Sequence, residues 1–431
     1  MSRKRLIIIG GGFAGVNVIR KLRDSNIDII LIDKRNHHLF QPLLYQAATA
    51  TLSPRDICIA FREMFATQKN TTVIMGEAVD INKEEKYVVL GNGDKFSYDY
   101  LIVAIGSKHS YFGNDRWEPL APGIKTISDA INIREHILMS FEKAERLNSI
   151  SETYKYLTFV IVGGGPTGVE FAGTIAELIN KTMKSNFRRI QTKEARVILI
   201  EGLDRILPPF PPKLSARTKK DLEKLGVTVL NNKIVTDITP DGVQIGDTFI
   251  EAKTVIWAAG NAIPAFANKL GAPQDKQGRV MVRKDLSIEG HPEIFVLGDA
   301  AHFESPKGKI LPGIATVALQ QGRFVGKLLR KELKQTHIPK HRSCQFKYFD
   351  KGSLATIGSG KAVGVFRGIN FTGLIAWIIW AVVHIAYLVG FRNRLSVMLE
   401  WVMHHITGTR ASRIIHGTID ENLPRREDSD S

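Results

Sequence analysis

Apolar and polar positions alternate along this chain in two distinct rhythms, and most of its elements follow from them. Leu6-Ile7-Ile8-Ile9 is an unbroken apolar run, followed by Gly10-Gly11-Gly12-Phe13-Ala14-Gly15 and then by Val16, Ile19 and Leu22 at helical spacing. Phe159-Val160-Ile161-Val162 is followed in the same way by Gly163-Gly164-Gly165-Pro166-Thr167-Gly168 and by Val169, Ala172, Ile175, Ala176 and Ile179. A short run without alternation suits a parallel strand buried on both faces, and the change to a 3.6-residue period marks a helix behind it. The pattern therefore predicts strand, glycine turn and helix twice, about 150 residues apart, too far for a solenoid repeat. Further strands are predicted at Ile29–Ile32, Leu101–Ile105, Val197–Ile200, Val255–Ala258 and Ile294–Leu297. Helices are predicted at Leu214–Leu225 and Ala315–Leu333, and the second glycine-turn helix is expected to extend through Lys181–Arg189.

Each glycine cluster stands where a nucleotide diphosphate can be held. A strand that feeds a helix through G-x-G-x-x-G leaves unpaired N–H groups at a helix N-terminus, where the partial charge is positive. Gly10 permits the tight turn, Gly12 lets backbone approach a pyrophosphate, and Gly15 lets helix and strand pack closely; Gly163, Gly165 and Gly168 repeat the arrangement. Asp33 closes its strand eighteen residues after Gly15, near the ~20-residue offset at which an acid meets a ribose diol. Glu201 closes Val197–Ile200, and a carboxylate there repels a 2′-phosphate, so NADH is expected over NADPH. The fold expected is α/β, with two Rossmann-like dinucleotide-binding domains.

Composition narrows the chemistry. The net charge of +16 attracts an acidic membrane surface, phosphate-bearing ligands or nucleic acid, but no nucleic-acid reader motif is present. Cys58 and Cys344 stand alone in the sequence. They allow no disulfide framework, no CxxC redox pair and no Cys-based zinc site, and they suit a reducing compartment. The doublets His37-His38 and His404-His405 lack a supporting ligand cluster and are expected at surfaces or interfaces, with no metal. Arg3-Lys4-Arg5 before the first apolar run is not read as a secretion leader, because three glycines, Arg20 and Lys21 follow.

Ile294-Phe295-Val296-Leu297-Gly298-Asp299-Ala300-Ala301 is a strand, a glycine and an acid ahead of a long helix. Here the chain resembles the flavoprotein oxidoreductases with two dinucleotide domains. The resemblance implies that the first glycine motif holds the FAD diphosphate and that Asp299 meets the ribityl–phosphate portion. It also makes Gly106 and Gly260 the strand-ending glycines, with Ile105 standing where Thr is usual. Without a cysteine pair, disulfide reductases and sulfide:quinone reductases are excluded.

Four stretches narrow the resemblance: His38–Gln46 (HLFQPLLYQ), Gly163–Glu170, Leu311–Gly322 with its Gln320-Gln321-Gly322 ending, and Phe349–Gly358 (FDKGSLATIG). Together they are similar to type II NADH dehydrogenase, the single-subunit NADH:quinone oxidoreductase that pumps no protons. That family implies FAD and NADH as cofactors and a membrane quinone as acceptor. It implies cofactor contacts at Phe13, Ala14, Lys34, Gln41, Val79 and Ala318 in addition to the glycines and acids above. It places Glu170 near the nicotinamide–flavin stack, for hydride transfer or proton supply to the quinone. Thr316, where Gln is common, and Gln320 match its quinone-headgroup positions. The corresponding domains are 1–115 and 266–335 for FAD, 116–265 for NADH and 336–431 for membrane anchoring. A soluble reductase serving a ferredoxin-like carrier and a flavin-binding redox sensor are the competing readings.

A quinone acceptor directs attention to the C-terminal region. From Lys361 to His416 there are six Lys or Arg against one acid, Glu400, with Trp377, Trp380 and Trp401 interleaved. Thr372–Phe391 is apolar but for His384, and as one helix it would reach ~30 Å, enough to span a bilayer. Leu395, Met398, Leu399, Val402 and Ile406 then line one helical face, opposite Ser396, Glu400 and His404, as an interfacial helix requires. Arg392, Arg394, Arg410 and Arg413 flank it and suit anionic lipid. With the family as a guide, the expectation is a helical region docked peripherally on the cytoplasmic side of the cell membrane; a homodimer interface is the other use for such a face. Glu421–Ser431 reads as a frayed tail.

Overall fold

Lys4–Ile9 lies between Ile27–Asp33 and Tyr100–Val103, parallel to both, with Ile7 opposite Ile30 and Leu101. His291–Val296 and Thr71–Met75 extend the parallel sheet on either side, and Ser287–Ile288 adds an antiparallel edge, making six strands. The computed structural model describes residues 3–184, 186–306, 308–335, 342–410 and 412–415; the Glu421–Ser431 tail lies outside them. This sheet belongs to the first of two units, composed of residues 1–39, 59–108 and 261–351. Leu6 and Ile8 pack on one face with Val16 and Ile19 of the Phe13–Lys21 helix and with Val325 and Leu329 of the Ala315–Glu332 helix. Ile7 and Ile9 pack on the other face with Leu101, Val103, Ile294 and Val296. Burial on both faces explains the unbroken apolar run, each fully buried Ile or Leu being worth ~1.5–3 kcal/mol. The two helices meet through glycine: a Cβ on Gly322 would run into the backbone of Ala14.

The second unit comprises residues 40–58, 109–260 and 352–431. Its parallel sheet has the order Val227–Leu230, Arg196–Ile200, Thr158–Val162 and Thr254–Trp257. Behind its glycine turn the helix runs over Pro166–Glu177 and continues only as a π-turn to Met183, short of the extension to Arg189 predicted from sequence. The reason is local: the N–H groups of Arg188, Arg189 and Ile190 donate to the Glu145 carboxylate and not to a preceding helical turn. Phe40–Cys58, assigned from sequence to the first domain, clusters with this unit.

The C-terminal part also differs from a purely helical region. Ser353–Thr356, Ala362–Phe366 and Ile369–Thr372 form an antiparallel sheet ahead of two helices, Gly373–Tyr387 and Phe391–Thr407. The twenty apolar residues from Thr372 are therefore not one helix. The chain breaks at Gly390, whose φ is +91°, and the Arg394 guanidinium caps the broken end by donating to Leu388 O at 2.7 Å and Ala386 O at 3.2 Å. Fifteen helical residues rise only ~22 Å, against ~30 Å of hydrocarbon. Among the described residues, no helix is long and apolar enough to cross a membrane.

Candidate functional site

In the first unit Gly10 has φ +102°, and a Cβ there would strike Ala104 O. Gly12 caps the following helix without any side-chain bond, and a Cβ built on it would meet nothing within 4 Å. The first-turn N–H groups thus face open space, the cradle a diphosphate needs. Asp33 is clamped at the strand end, Oδ2 accepting from Gly11 N at 2.7 Å and Oδ1 from Arg35 N at 2.8 Å. Each oxygen keeps a free lone-pair direction for a ribose hydroxyl. His38 departs from the surface or interface position expected of it. It is buried, its Nδ1 donates to Gly11 O at 2.9 Å, and its ring stands edge-on to Phe13 at 5.2 Å. Burial pushes its pKa down to about 4, so it braces the turn as a neutral imidazole.

Asp299 lies in the same unit, and Ser107 Oγ donates to its Oδ2 at 2.7 Å. Gln321 Oε1 accepts from Gly298 N at 2.7 Å, fixing the residue before that acid. From sequence, Gln321 is named only as part of the Gln-Gln-Gly ending and Ser107 not at all, and neither is tied to Asp299 or Gly298. Ala318 is buried on the helix facing Gly298, and Gly106 has φ +69°. Lys34 is exposed, 3.7 Å from Glu77, and Val79 is exposed on the Ala78–Asn82 strand. Thr316 Oγ1 lies 3.1 Å from Tyr348 Oη. Gln320 clasps the backbone of Phe349, Nε2 donating to its O at 2.9 Å and Oε1 accepting from its N at 3.0 Å.

The second unit repeats the design. Gly163 has φ +110°, Gly165 caps its helix without a side-chain bond, and no atom lies within 4 Å of a Cβ built on Gly165. Close packing at Gly168 leaves no room for a side chain, since a Cβ would run into Gly163 O. Glu201 Oε2 accepts from Gly164 N at 2.6 Å and Oε1 from Leu203 N at 2.8 Å, the same clamp as at Asp33. Gly260 has φ +70° after the Thr254–Trp257 strand. Gln41 is exposed in this unit and donates to Lys125 O at 3.1 Å. Both turns therefore fit a dinucleotide in shape, dipole and acceptor placement.

Glu170 sits in the second turn of the Pro166–Glu177 helix and is buried. Its Oε1 accepts only a long bond, 3.4 Å from Thr356 N, and burial pushes its pKa up from 4.5 to about 8. At pH 7 this carboxyl is mostly protonated. Thr356 Oγ1 also lies 2.9 Å from Tyr45 Oη, which accepts from Gln46 Nε2 at 3.0 Å; Gln46 Oε1 accepts from Trp401 Nε1 at 2.7 Å. Tyr45 and Thr356 are 311 positions apart in sequence, so no local spacing could have joined them.

The C-terminal helices turn their apolar side outward. Leu374, Ile375, Ile378 and Val382 are exposed on the first, as are Leu395, Met398, Leu399, Val402 and Ile406 on the second, Ile406 by 74%. Inward go Trp380, Val397, Trp401 and His404. Two residues read from sequence as surface or interface groups are buried instead. Arg410 is buried, Nη1 donating to Thr49 O at 2.6 Å and Nη2 to Thr174 O at 2.9 Å, so it ties the chain end to the unit's core. His404 is buried with Nδ1 on Thr409 O at 3.0 Å, and burial lowers its pKa. Among the described residues, no three His, Cys, Asp or Glu side chains gather as a metal site.

Comparison with known proteins agrees with this geometry. The pyridine nucleotide-disulphide oxidoreductase family matches residues 4–322, and the NDH2 C-terminal domain matches residues 351–410. The type II NADH:quinone oxidoreductase Ndh of Mycobacterium tuberculosis is 41% identical over 425 residues, covering 96% of this chain and 90% of that protein. An internal alternative NAD(P)H-ubiquinone oxidoreductase of Arabidopsis thaliana mitochondria is 28% identical, covering 96% of this chain and 84% of that one. In fold, the chain is similar to NDH2 from Plasmodium falciparum, solved in complex with NADH, with a TM-score of 0.87 at 24% identity over 95% of this chain and 99% of that one.

Proposed function

The chain belongs to the type II NADH:quinone oxidoreductases, and on that premise we propose which of its residues carry out the reaction. Bound FAD supplies the redox chemistry, taking hydride from NADH and returning two electrons to quinone without proton pumping. The first glycine turn, with Gly10, Gly12, Phe13, Ala14, Gly15 and Asp33, holds the FAD diphosphate and ribose; Asp299, steadied by Ser107, orients the ribityl–phosphate portion. The second turn, with Gly163, Gly165, Gly168 and Glu201, holds NADH. The Glu201 carboxylate accepts from both ribose hydroxyls and repels a 2′-phosphate. Glu170, protonated at neutral pH by its burial, holds one of the two protons the reduced quinone must acquire. Thr316 and Gln320 contact the headgroup. Residues 1–115 and 266–335 are the FAD part, 116–265 the NADH part and 336–431 the anchoring part in this reading.

Type II NADH dehydrogenases are membrane-associated. The outward apolar stripe of the two C-terminal helices supplies the contact here, lying in the lipid interface with the exposed Arg392 toward anionic headgroups, while Arg413 is half-buried and its Nε donates to Arg410 O at 2.9 Å. Because NADH is a cytosolic reductant, the docked face is the cytoplasmic one. A homodimer is the competing cover for the stripe, and it would appear as a detergent-resistant pair.

What carries the reading of two dinucleotide sites is the repeated clamp of an acid on a glycine N–H beside an open helix terminus, and Asp299 in the first unit gives FAD to the first turn. Gly12→Val and Gly165→Val test it, because a Cβ at either position has no protein atom within 4 Å. Gly12→Val should yield a folded, colourless protein. Gly165→Val should keep its flavin but require at least ~100-fold more NADH to reduce it. Loss of flavin in Gly165→Val with retention in Gly12→Val would reverse the assignment.

A further inference from the structure

We propose that the cavity lined by Trp377, Trp380, Trp401, Arg410 and Thr51 binds a phosphate oxyanion. Three of its lining side chains carry a buried polar atom with no partner among the described residues: Trp380 Nε1, Arg410 Nε and Thr51 Oγ1. Their residues are only 1%, 2% and 6% exposed. Unpaired buried donors are costly and rare, and a cluster of them on one cavity marks a missing acceptor. Two are N–H groups that can only donate, and the hydroxyl can donate as well, so a single partner that replaces ordered water at all three would offer several acceptor oxygens.

Charge selects among such partners. Glu177, the carboxylate on the cavity wall, accepts from Lys181 Nζ at 2.9 Å and Ser359 Oγ at 2.9 Å, so Lys181 offsets it. His404 is kept neutral by burial. The same Glu177 carboxylate also acts on the buried Arg410, whose Nη groups donate to the carbonyls of Thr49 and Thr174, so among these described groups two cations face one anion and one positive charge is in excess. A monoanionic phosphate ester compensates it; a quinone carbonyl, being uncharged, does not. Trp377, Trp380 and Trp401 give the cavity aromatic walls, and the two helices that carry them present the outward apolar stripe. A phospholipid can therefore place its phosphate in the cavity and its acyl chains along the stripe, while free phosphate can satisfy the same donors from solution.

The test uses full-length, FAD-loaded protein saturated with NAD⁺, so that the glycine turns are filled. Monomeric dihexanoyl-phosphatidylglycerol and inorganic phosphate are titrated separately by calorimetry, against wild type, Trp380→Phe/Thr51→Val and Arg410→Gln. The double variant keeps an aromatic ring at 380 and the shape of the side chain at 51, and it leaves the Arg410 bonds to Thr49 and Thr174 untouched, so with its fold checked by circular dichroism it stays informative even if Arg410→Gln unfolds. One equivalent of the lipid should bind to wild type and bind at least ~10-fold more weakly to the double variant. The same pattern with inorganic phosphate alone would assign the site to free phosphate. No saturable binding of either probe, equal binding by the double variant, or displacement of the probe by a short-chain quinone would each overturn the proposal.

Discussion

Glu170→Gln separates a working carboxyl from a tolerated one, because the same burial predicts a stability effect and a kinetic one. Moving this group from 4.5 to about 8 makes its ionised form roughly 5 kcal/mol less favourable than in water, at ~1.4 kcal/mol per tenfold change. The sign follows from which state holds the proton. Between pH 4.5 and 8 the folded chain keeps a proton that the unfolded chain releases. Wild-type stability therefore falls through that window and bears the whole cost only above about pH 8. Glutamine cannot ionise but still offers an oxygen to Thr356 N. Urea titrations should find Glu170→Gln near wild type at pH 4.5 and about 3 kcal/mol more stable at pH 7. In turnover the order reverses. Wild-type quinone reduction should fall tenfold per pH unit above about 8, as the proton is lost. The variant should be flat across that range and ~10²–10⁴-fold slower below it. Parallel stability curves for the two proteins would refute the burial argument, and parallel pH–rate profiles would remove Glu170 from catalysis.

Glu201→Ala should raise the NADPH:NADH ratio of kcat/KM by about tenfold or more, the loss of one close like-charge contact. An unchanged ratio would separate Glu201 from the ribose. Leu399→Glu/Ile406→Glu alters two side chains that are 57% and 74% exposed, so the fold should hold while partitioning into anionic vesicles drops at least ~10-fold. Equal sedimentation with vesicles would shift the lipid contact elsewhere. These point changes are cleaner than deleting residues 371–431, since Trp401 and Arg410 hold Gln46, Thr49 and Thr174 in the core of their unit.

The parallel strands and both glycine turns are legible in the sequence because burial on two faces forces unbroken apolar runs, and a tight turn beside a close-packed helix forces glycine. Periodicity also located the C-terminal apolar stripe. It could not orient it, since a helical face reads the same whether it meets protein or lipid; only the inward Trp380, Trp401 and His404 show that the stripe points out. Position-by-position reading erred where a polar residue finds a distant partner. His38 reads as a surface histidine until Gly11 O is seen to accept from it, and Arg410 reads as lipid-facing until Thr49 and Thr174 are placed beside it. Tyr45, Gln46 and Thr356 lie in stretches that carry the family resemblance, but nothing in the sequence assigned them a contact or a role. Their contacts with one another and with Glu170 and Trp401 arise only when Phe40–Cys58 and the C-terminal sheet fold into the second unit.

The most direct trial of the electron route is anaerobic. The purified yellow protein is mixed with one equivalent of NADH, the flavin absorbance is followed, and a short-chain quinone is then added. Bleaching by NADH, full recovery of colour on quinone addition and one quinol formed per NADH are the predicted results. A flavin that bleaches but stays bleached in excess quinone, or a chain that takes up no flavin, would contradict the account.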